Sequence, residues 1–352
     1  MSRRLLMLAL LVVSGMAAGC EGTAPVLLPH DPRLAEPAPP PEELPAITLQ
    51  LNWFPEAEHG GYYAALVHGY FADEGLKVVI EPGGPKAPVA AQVASDPWRC
   101  GVDNADKLLL ARAQEADVVA VFAPLQDSPR CILLHKSAGI TTFEELSRQT
   151  GFTLAMNPGQ PFAQFLTKKL ALSNIQMVPY PGNINQFLLD SQFGQQAYSF
   201  SEPFVAERQG VATHTLMVSD LGFNPYTSLL LVNAALMKER PDVVRKLVRA
   251  ARRGWQKYLS DPAATNKYIH EQNPEMSLEI LEYGAAALKP LCLPHDLPAT
   301  LLGQMTPERW ETLAAQMVEI GSIPPERVDV FRAFTLDFLT EQRPEDAAVG
   351  RN

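Results

Sequence analysis

The chain has 352 residues, with 29 Lys and Arg against 39 Asp and Glu and a formal net charge of −10. That balance argues against a nucleic-acid partner, and the length leaves room for two domains. Of the four cysteines, Cys20, Cys100, Cys131 and Cys292, no two have metal-ligand spacing. Cys20 apart, the remaining three are an odd number; a Cys100–Cys131 bridge is one reading, and buried small apolar residues is the simpler one.

The N-terminal segment addresses the chain. Arg3 and Arg4 form a basic region, residues 5–13 an apolar one and Ala17-Ala18-Gly19-Cys20 a small-residue box, together a secretory signal peptide over residues 1–19. The apolar run is short of the ~18–20 residues of a membrane span. A Cys directly after the small residues is the lipoprotein form, with Cys20 acylated as the mature N-terminus. Ser2-Arg3-Arg4-Leu5-Leu6 also loosely fits a twin-arginine signal, so the export route stays open. Residues 20–45 are acidic and Pro-rich, as in Glu36-Pro37-Ala38-Pro39-Pro40-Pro41, with no apolar period. Such a segment cannot order itself by burial and reads as a stalk extended at ~3.1 Å per residue. Residues 341–352 are a polar tail. The expected product is an exported lipoprotein, held to a membrane at Cys20 and facing the periplasm or the cell exterior.

An apolar strand is expected over residues 47–53, followed by Pro55, two acids, His59, Gly60 and Gly61, and then an amphipathic helix that stops at Gly75. Further strands are predicted at 77–81, 118–123, 131–135, 153–156, 177–180, 197–201 and 229–232. Helices are predicted at 105–116, 143–149, 162–172, 184–193 and 204–209, and a long Arg- and Lys-rich amphipathic helix at 241–260. This alternation is the pattern of α/β units with largely parallel sheets. Its order matches a two-lobed protein, with residues 46–127 and 225–340 in one lobe and 128–224 in the other. The chain would then cross near 124–129 and 222–228, which are the hinge candidates.

Ligands of open α/β sheets bind beyond the carboxyl ends of the strands. The loops at those ends hold Trp53, Glu58, His59, Gly83, Gly84, Asp103, Asn104, Gln126, Asn157, Gln160, Asn183, Glu202 and Tyr226. Rings, amides and a few acids dominate, and Arg and Lys are absent from them. A sulfonate, nitrate or phosphate site would want those cations. The composition suits a flat, neutral or cationic, hydrogen-bonding ring.

Leu51-Asn52-Trp53-Phe54-Pro55-Glu56-Ala57-Glu58-His59-Gly60-Gly61-Tyr62-Tyr63, Ala105-Asp106-Lys107-Leu108, Phe200-Ser201-Glu202-Pro203-Phe204 and Tyr226-Thr227-Ser228-Leu229 carry a resemblance in their shared order and spacing. The chain resembles, over residues 47–339, solute-binding proteins for thiamine-pyrimidine precursors and related heterocycles, a family that also includes fungal pyrimidine synthases. The resemblance implies a type II periplasmic binding protein: an α/β fold of two lobes, each a mixed sheet flanked by helices, with the ligand cleft between them. It implies a monomer without cofactor that passes a flat heteroaromatic ligand, a thiamine pyrimidine precursor or a riboflavin-like ring, to an ABC-transporter permease. The alternatives are a synthase-like enzyme and a binder of aliphatic sulfonate or nitrate. Asp103 stands where the synthases hold the Lys that forms a Schiff base with pyridoxal phosphate, and Lys107 where they hold a His consumed as substrate. Residues 221–227 replace their cysteine-rich iron motif. With no GxSxG, Walker or HExxH motif either, the chain reads as a binding protein and not an enzyme.

The family match makes Trp53 the ring that stacks on the ligand, a contact worth ~1–3 kcal/mol by analogy with base–aromatic stacking; a core position is the other reading. Tyr62 and Tyr63 lie on the first turn of a helix, so only one of them can face the cleft, and Tyr62 is the candidate. His59 matches a His of several family members, and Glu58 beside it makes no metal site for want of a ligand at i+3 or i+4. Gly84 lies in a turn that can let backbone approach the ligand. Glu202, at a strand end before Pro203, can accept two parallel hydrogen bonds from an aminopyrimidine edge. The competing account is an acid at a helix start.

Overall fold

In the computed structural model, residues 45–339 other than Val328 are described. The expected signal peptide, the acylated Cys20, the stalk and the tail from 341 lie outside the described residues. The strands are β1 (Ile47–Gln50), β2 (Val78–Glu81), β3 (Arg99–Asp103), β4 (Val118–Phe122), β5 (Arg130–His135), β6 (Thr153–Ala155), β7 (Gln176–Val178), β8 (Phe193–Tyr198), β9 (Thr213–Met217) and β10 (Leu229–Asn233). The helices are α1 (Gly60–Val67), α2 (Tyr70–Asp73), α3 (Val89–Ser95), α4 (Ala105–Ala113), α5 (Phe143–Ser147), α6 (Pro161–Lys169), α7 (Asn185–Leu189), α8 (Glu202–Arg208), α9 (Ala234–Glu239), α10 (Pro241–Ser260), α11 (Ala263–Gln272), α12 (Leu278–Cys292) and α13 (Pro307–Glu319). No described helix is long and apolar enough to cross a membrane.

The strands form two five-stranded sheets of the same design, β2-β1-β3-β10-β4 and β7-β6-β8-β5-β9. In the first, β1 pairs parallel with β2 and β3, while β10 runs antiparallel between β3 and β4. In the second, β6 pairs parallel with β7 and β8, while β5 runs antiparallel between β8 and β9. Both are mixed sheets flanked by helices, the expected α/β class.

The pattern missed β3, β9 and α3, and started β8 four residues late. β8 opens Phe193-Gly194-Gln195-Gln196, where a glycine and two amides hide a strand that is buried because β5 and β6 flank it. β9 is a polar edge strand, half exposed, and is held by pairing with β5 alone. The helix expected to run to Gly75 is split in two at Gly69, whose φ of 74° ends α1. Cys100 and Cys131 are free, buried thiols on β3 and β5, in different sheets.

Between β4 and β5 and again before β10 the chain passes from one sheet to the other, and the two crossings touch. Thr227 N donates to Leu125 O at 3.3 Å, and the pair forms an isolated antiparallel bridge. The Asn224 side chain accepts from Ser128 N and donates to Asp127, both at 2.8 Å. Arg309 on α13 spans the crossings: its Nε and Nη2 donate to Asn224 O at 3.1 and 2.8 Å, and Nη2 also donates to Gln126 O. One apolar core runs behind them, with Trp310, Leu313 and Met317 of α13 joined to Phe165 and Phe223.

A second core fastens α1 to α10. Gly60 and Gly61 lie against the fully buried rings of Tyr258 and Trp255, and Gly254 of α10 lies against the backbone of α1. A Cβ on Gly61 would fall inside the indole of Trp255. Overpacking of a filled core costs ~1–3 kcal/mol, occasionally more. Gly61→Ala is therefore expected to lower stability by at least that range in urea unfolding. Gly159→Ala, with no atom within 4 Å of the new Cβ, is expected to change it by less than about 0.5 kcal/mol. Equal effects of the two substitutions would refute the close packing.

Candidate functional site

Loops from both sheets enclose a cleft of about 730 Å³, within the usual range for small-molecule sites. The first sheet supplies Asn52, Trp53, Glu56 and Glu58 after β1, Gly84 and Lys86 after β2, and Lys107 on α4. The second supplies Arg130 at the start of β5, Asn157 and Gln160 after β6, Tyr180 and Asn183 after β7, and Gln196, Tyr198 and Glu202 in and after β8. Met276 and Ile280, on either side of the start of α12, complete the wall.

Trp53 owes its place to Gly83. The Gly83 N–H donates to Trp53 O at 2.9 Å, and a Cβ there would overlap the Leu51 carbonyl. Only glycine lets this loop lie so close to the end of β1. Phe54 backs the indole edge-on, with ring centroids 5.5 Å apart.

Behind the ring lies a short relay. Asn52 Nδ2 donates to Glu58 Oε1 at 3.2 Å, which turns Asn52 Oδ1 to His59 Nε2 at 2.8 Å. With an oxygen facing it, Nε2 must carry the hydrogen. His59 is fully buried, Nδ1 has no partner, and burial pushes its pKa down to about 3, so the ring is neutral. Glu58 is 1% exposed. Burial pushes its carboxyl up to about 7 against the pull of the Asn52 hydrogen bond, Lys107 and Arg130. Burial, then Glu58 and Glu202, raise Glu56 well above the usual carboxylate range.

The cations are disposed differently. Lys107 is paired with Asp103 at 3.3 Å, and that carboxylate chiefly holds its ammonium above the usual lysine range. Arg130 lies 4.0 Å from the Tyr198 ring and 4.7 Å from the Phe162 ring. Lys86 is exposed.

Of the residues expected in the site, Trp53, Glu58, Gly84, Asn157, Gln160, Asn183 and Glu202 line the cleft. The others do not. Tyr62 and Tyr63 are both buried, because the glycines draw α1 down onto α10. Tyr62 packs edge-on to Trp255 and donates to Ser228 O at 2.6 Å. His59 stands behind Glu58. Asp103 is taken up by Lys107 and by the backbone of Asn104. Asn104 ties the sheets together, donating to Tyr198 Oη at 3.1 Å and accepting from Ser228 N at 3.3 Å. Gln126 donates to Ala123 O and Gln304 O at the crossing. Tyr226 is buried beneath Arg309, and its Oη accepts from Thr306 N.

Glu202 lines the cleft with each of its oxygens already holding one protein partner. One accepts from Tyr198 N at 2.9 Å, the other from Tyr180 Oη at 3.2 Å. It is the first residue of α8 reaching back to its own strand, the helix-start account.

Sequence reasoning missed Arg130, Lys107, Glu56, Tyr180 and Tyr198, and was wrong to find no cation. Arg130 is the first residue of a strand that runs against its neighbours, so its N-terminal end lies at their carboxyl edge. Among the described residues no group of three His, Cys, Asp or Glu could hold a metal ion.

Comparison with known proteins fits this geometry. The family model described as NMT1/THI5 like matches residues 56–265. The chain belongs to the NMT1/THI5-like family. Among its relatives, the riboflavin-binding protein RibY of Chloroflexus aurantiacus is 27% identical over 96% of this chain and 98% of its own. A formylaminopyrimidine-binding protein of Halalkalibacterium halodurans is 23% identical over 77% of this chain and 84% of its own. In fold, the chain is similar to the alkanesulfonate-binding protein SsuA of Xanthomonas axonopodis pv. citri, at a TM-score of 0.61 and 16% identity over 84% of this chain and 99% of that one. The NMT1/THI5-like chain thus has the fold of a periplasmic binding protein.

The state of His59 is open to test. A depressed pKa gives stability that is complete above the unfolded value of 6.5 and is lost as pH falls toward the folded value, at ~1.4 kcal/mol per pH unit. His59→Gln keeps a donor for Asn52 and removes the titration. Relative to wild type, this variant is expected to gain roughly 2 kcal/mol between pH 7.5 and pH 5 in urea unfolding. A difference that stays constant with pH would mean that the native imidazole takes up its proton normally.

Proposed function

We propose that this protein is the solute-binding component of an ABC importer and holds a flat heteroaromatic solute in the cleft. The observation behind this reading is Trp53 on one side of a cleft whose other side carries Tyr180, Tyr198 and the amides Asn157, Gln160, Asn183 and Gln196. Aromatic faces with sparse polar groups suit a planar ring, and the names of two relatives, riboflavin-binding and formylaminopyrimidine-binding, agree in ligand class. In this reading the chain is exported, anchored through Cys20 and docks on a permease.

An enzyme reading has less support. Imine chemistry needs a lysine that can lose its proton, and Asp103 holds the ammonium of Lys107 charged. A sulfonate or nitrate reading gains from Arg130, which lines the cleft, but such a solute presents no flat ring to Trp53, Tyr180 and Tyr198. Residues 46–127 with 225–340 on one side, and 128–224 on the other, would close on the ligand about the paired crossings. The core behind α13 acts as the pivot of that motion.

Riboflavin or formylaminopyrimidine is expected to raise the melting temperature and to reduce the radius of gyration in small-angle scattering, and an alkanesulfonate to do neither. Trp53→Ala is expected to weaken ring binding in calorimetry by ~1–3 kcal/mol, with the unliganded melting temperature little changed. Binding of the sulfonate in place of the rings would overturn this reading.

A further inference from the structure

Two polar groups face the cleft with bonding capacity to spare. Glu58 Oε2 is buried and accepts from no amide, hydroxyl or cation, its carboxyl lying against that of Glu56, while Oε1 is committed to Asn52. The guanidinium of Arg130 is flanked by the Tyr198 and Phe162 rings and meets no acceptor among the described residues. A buried acceptor left unmatched, as Glu58 Oε2 is, is costly and calls for an explanation, while the part-exposed guanidinium of Arg130 is free to bond. The two come from opposite sides: Glu58 from the loop after β1 in the first sheet, Arg130 from β5 in the second. Ring contacts on the guanidinium face leave its N–H edge as the part that can bond, and that edge suits a planar oxygen acceptor.

Resting on the reading of the cleft as a ring site, we propose that Glu58 and Arg130 select the ligand from its two ends. Glu58 Oε2 accepts from a ligand N–H, and Arg130 donates to a ligand carbonyl or anionic oxygen. The cleft thus takes heteroaromatic rings that carry both groups over rings that lack either. An isoalloxazine meets the condition with its imide N–H and carbonyls, and a formylaminopyrimidine with its amino group and formyl oxygen. Lys107 cannot replace Arg130, being held by Asp103. Glu202 already accepts from Tyr198 and Tyr180 and is the less available acceptor.

The relay makes Glu58→Gln a directional test. With His59 Nε2–H still donating to Asn52 Oδ1, Asn52 Nδ2 continues to face position 58. The glutamine oxygen must accept from it, and the new NH₂ takes the place of Oε2, donor against donor.

Calorimetry at pH 8 with riboflavin, N3-methylriboflavin, formylaminopyrimidine and the deformylated amine reads both ends. Wild type is expected to favour riboflavin over its N3-methyl analogue, and the formylated pyrimidine over the amine, each at least tenfold. Glu58→Gln should abolish the first preference without lowering the unliganded melting temperature. Arg130→Met should abolish the second. If that variant fails to fold, Arg130→Lys, which keeps the charge and loses the fork, should weaken formylaminopyrimidine at least tenfold. Wild-type affinities in the Glu58 and Arg130 variants, with Trp53→Ala still weakening the rings, would overturn the proposal and leave the ring site standing. Failure of wild type to bind any of the four would overturn both.

Discussion

Each sheet receives the chain through a strand that runs against its neighbours, and the cleft depends on that arrangement. β5 enters the second sheet and β10 re-enters the first, both inserted antiparallel next to the end of the order. An antiparallel strand begins at the edge where its parallel neighbours end. Both crossings are therefore delivered to the carboxyl edges of their sheets, where ligands bind. The crossings can pair with each other there, as Leu125 and Thr227 do, and the strand-end loops are brought face to face. The same geometry puts Arg130, a strand's first residue, among residues that follow strands.

The site sets charge burial against close packing. Glu56, Glu58 and His59 are all under a tenth exposed, and the loop that holds them would be easier to hydrate than to bury. Two contacts hold it down. The glycine face of α1 is pressed onto Trp255 and Tyr258, and the Gly83 backbone lies against the end of β1. Held in this way, Glu58 keeps a carboxyl whose charged form is disfavoured by burial, and an oxygen with no partner. Binding groups kept unsatisfied by their scaffold reduce stability in the empty state and can gain it back with the ligand.

Much of this was legible in the sequence, and the failures have a common cause. Trp53, Asn157, Gln160 and Asn183 follow strands whose apolar runs are plain, so their place at the carboxyl edge could be read directly. Arg130 could not, because strand direction within a mixed sheet is a tertiary property and the local pattern of β5 is the same either way. Tyr62 and Tyr63 look like alternatives on one helix turn. The choice disappears once Gly60 and Gly61 let α10 approach so closely that both rings are enclosed. Gln126 and Tyr226 were correctly placed near strand ends, but the crossings consume their polar atoms in holding the halves together. β8 shows the limit of the pattern from the other side: Gly194, Gln195 and Gln196 are strand residues because β5 and β6 flank them, and no periodicity reports that. Both side-chain polar atoms of the buried Gln195 lack partners, for which the structure offers no physical account.

Ser228 joins the crossing to the ligand loop. It is a non-glycine residue at φ 58°, a conformation that disfavours a side chain, and three hydrogen bonds hold it there. Its carbonyl accepts from Tyr62, its N–H donates to Asn104, and its hydroxyl donates to the backbone oxygen of Glu58 at 3.0 Å. Asn104 in turn donates to Tyr198, one of the two rings flanking Arg130. A rotation at the second crossing would therefore bear on the Glu58 loop through one bond and on the Arg130 stack through two. A ligand that satisfies both groups would draw on the same bonds in reverse. The connection is short: Ser228, Glu58 and the Tyr198 ring beside the Arg130 guanidinium are linked through neighbours, because both crossings lie at the carboxyl edges of the sheets.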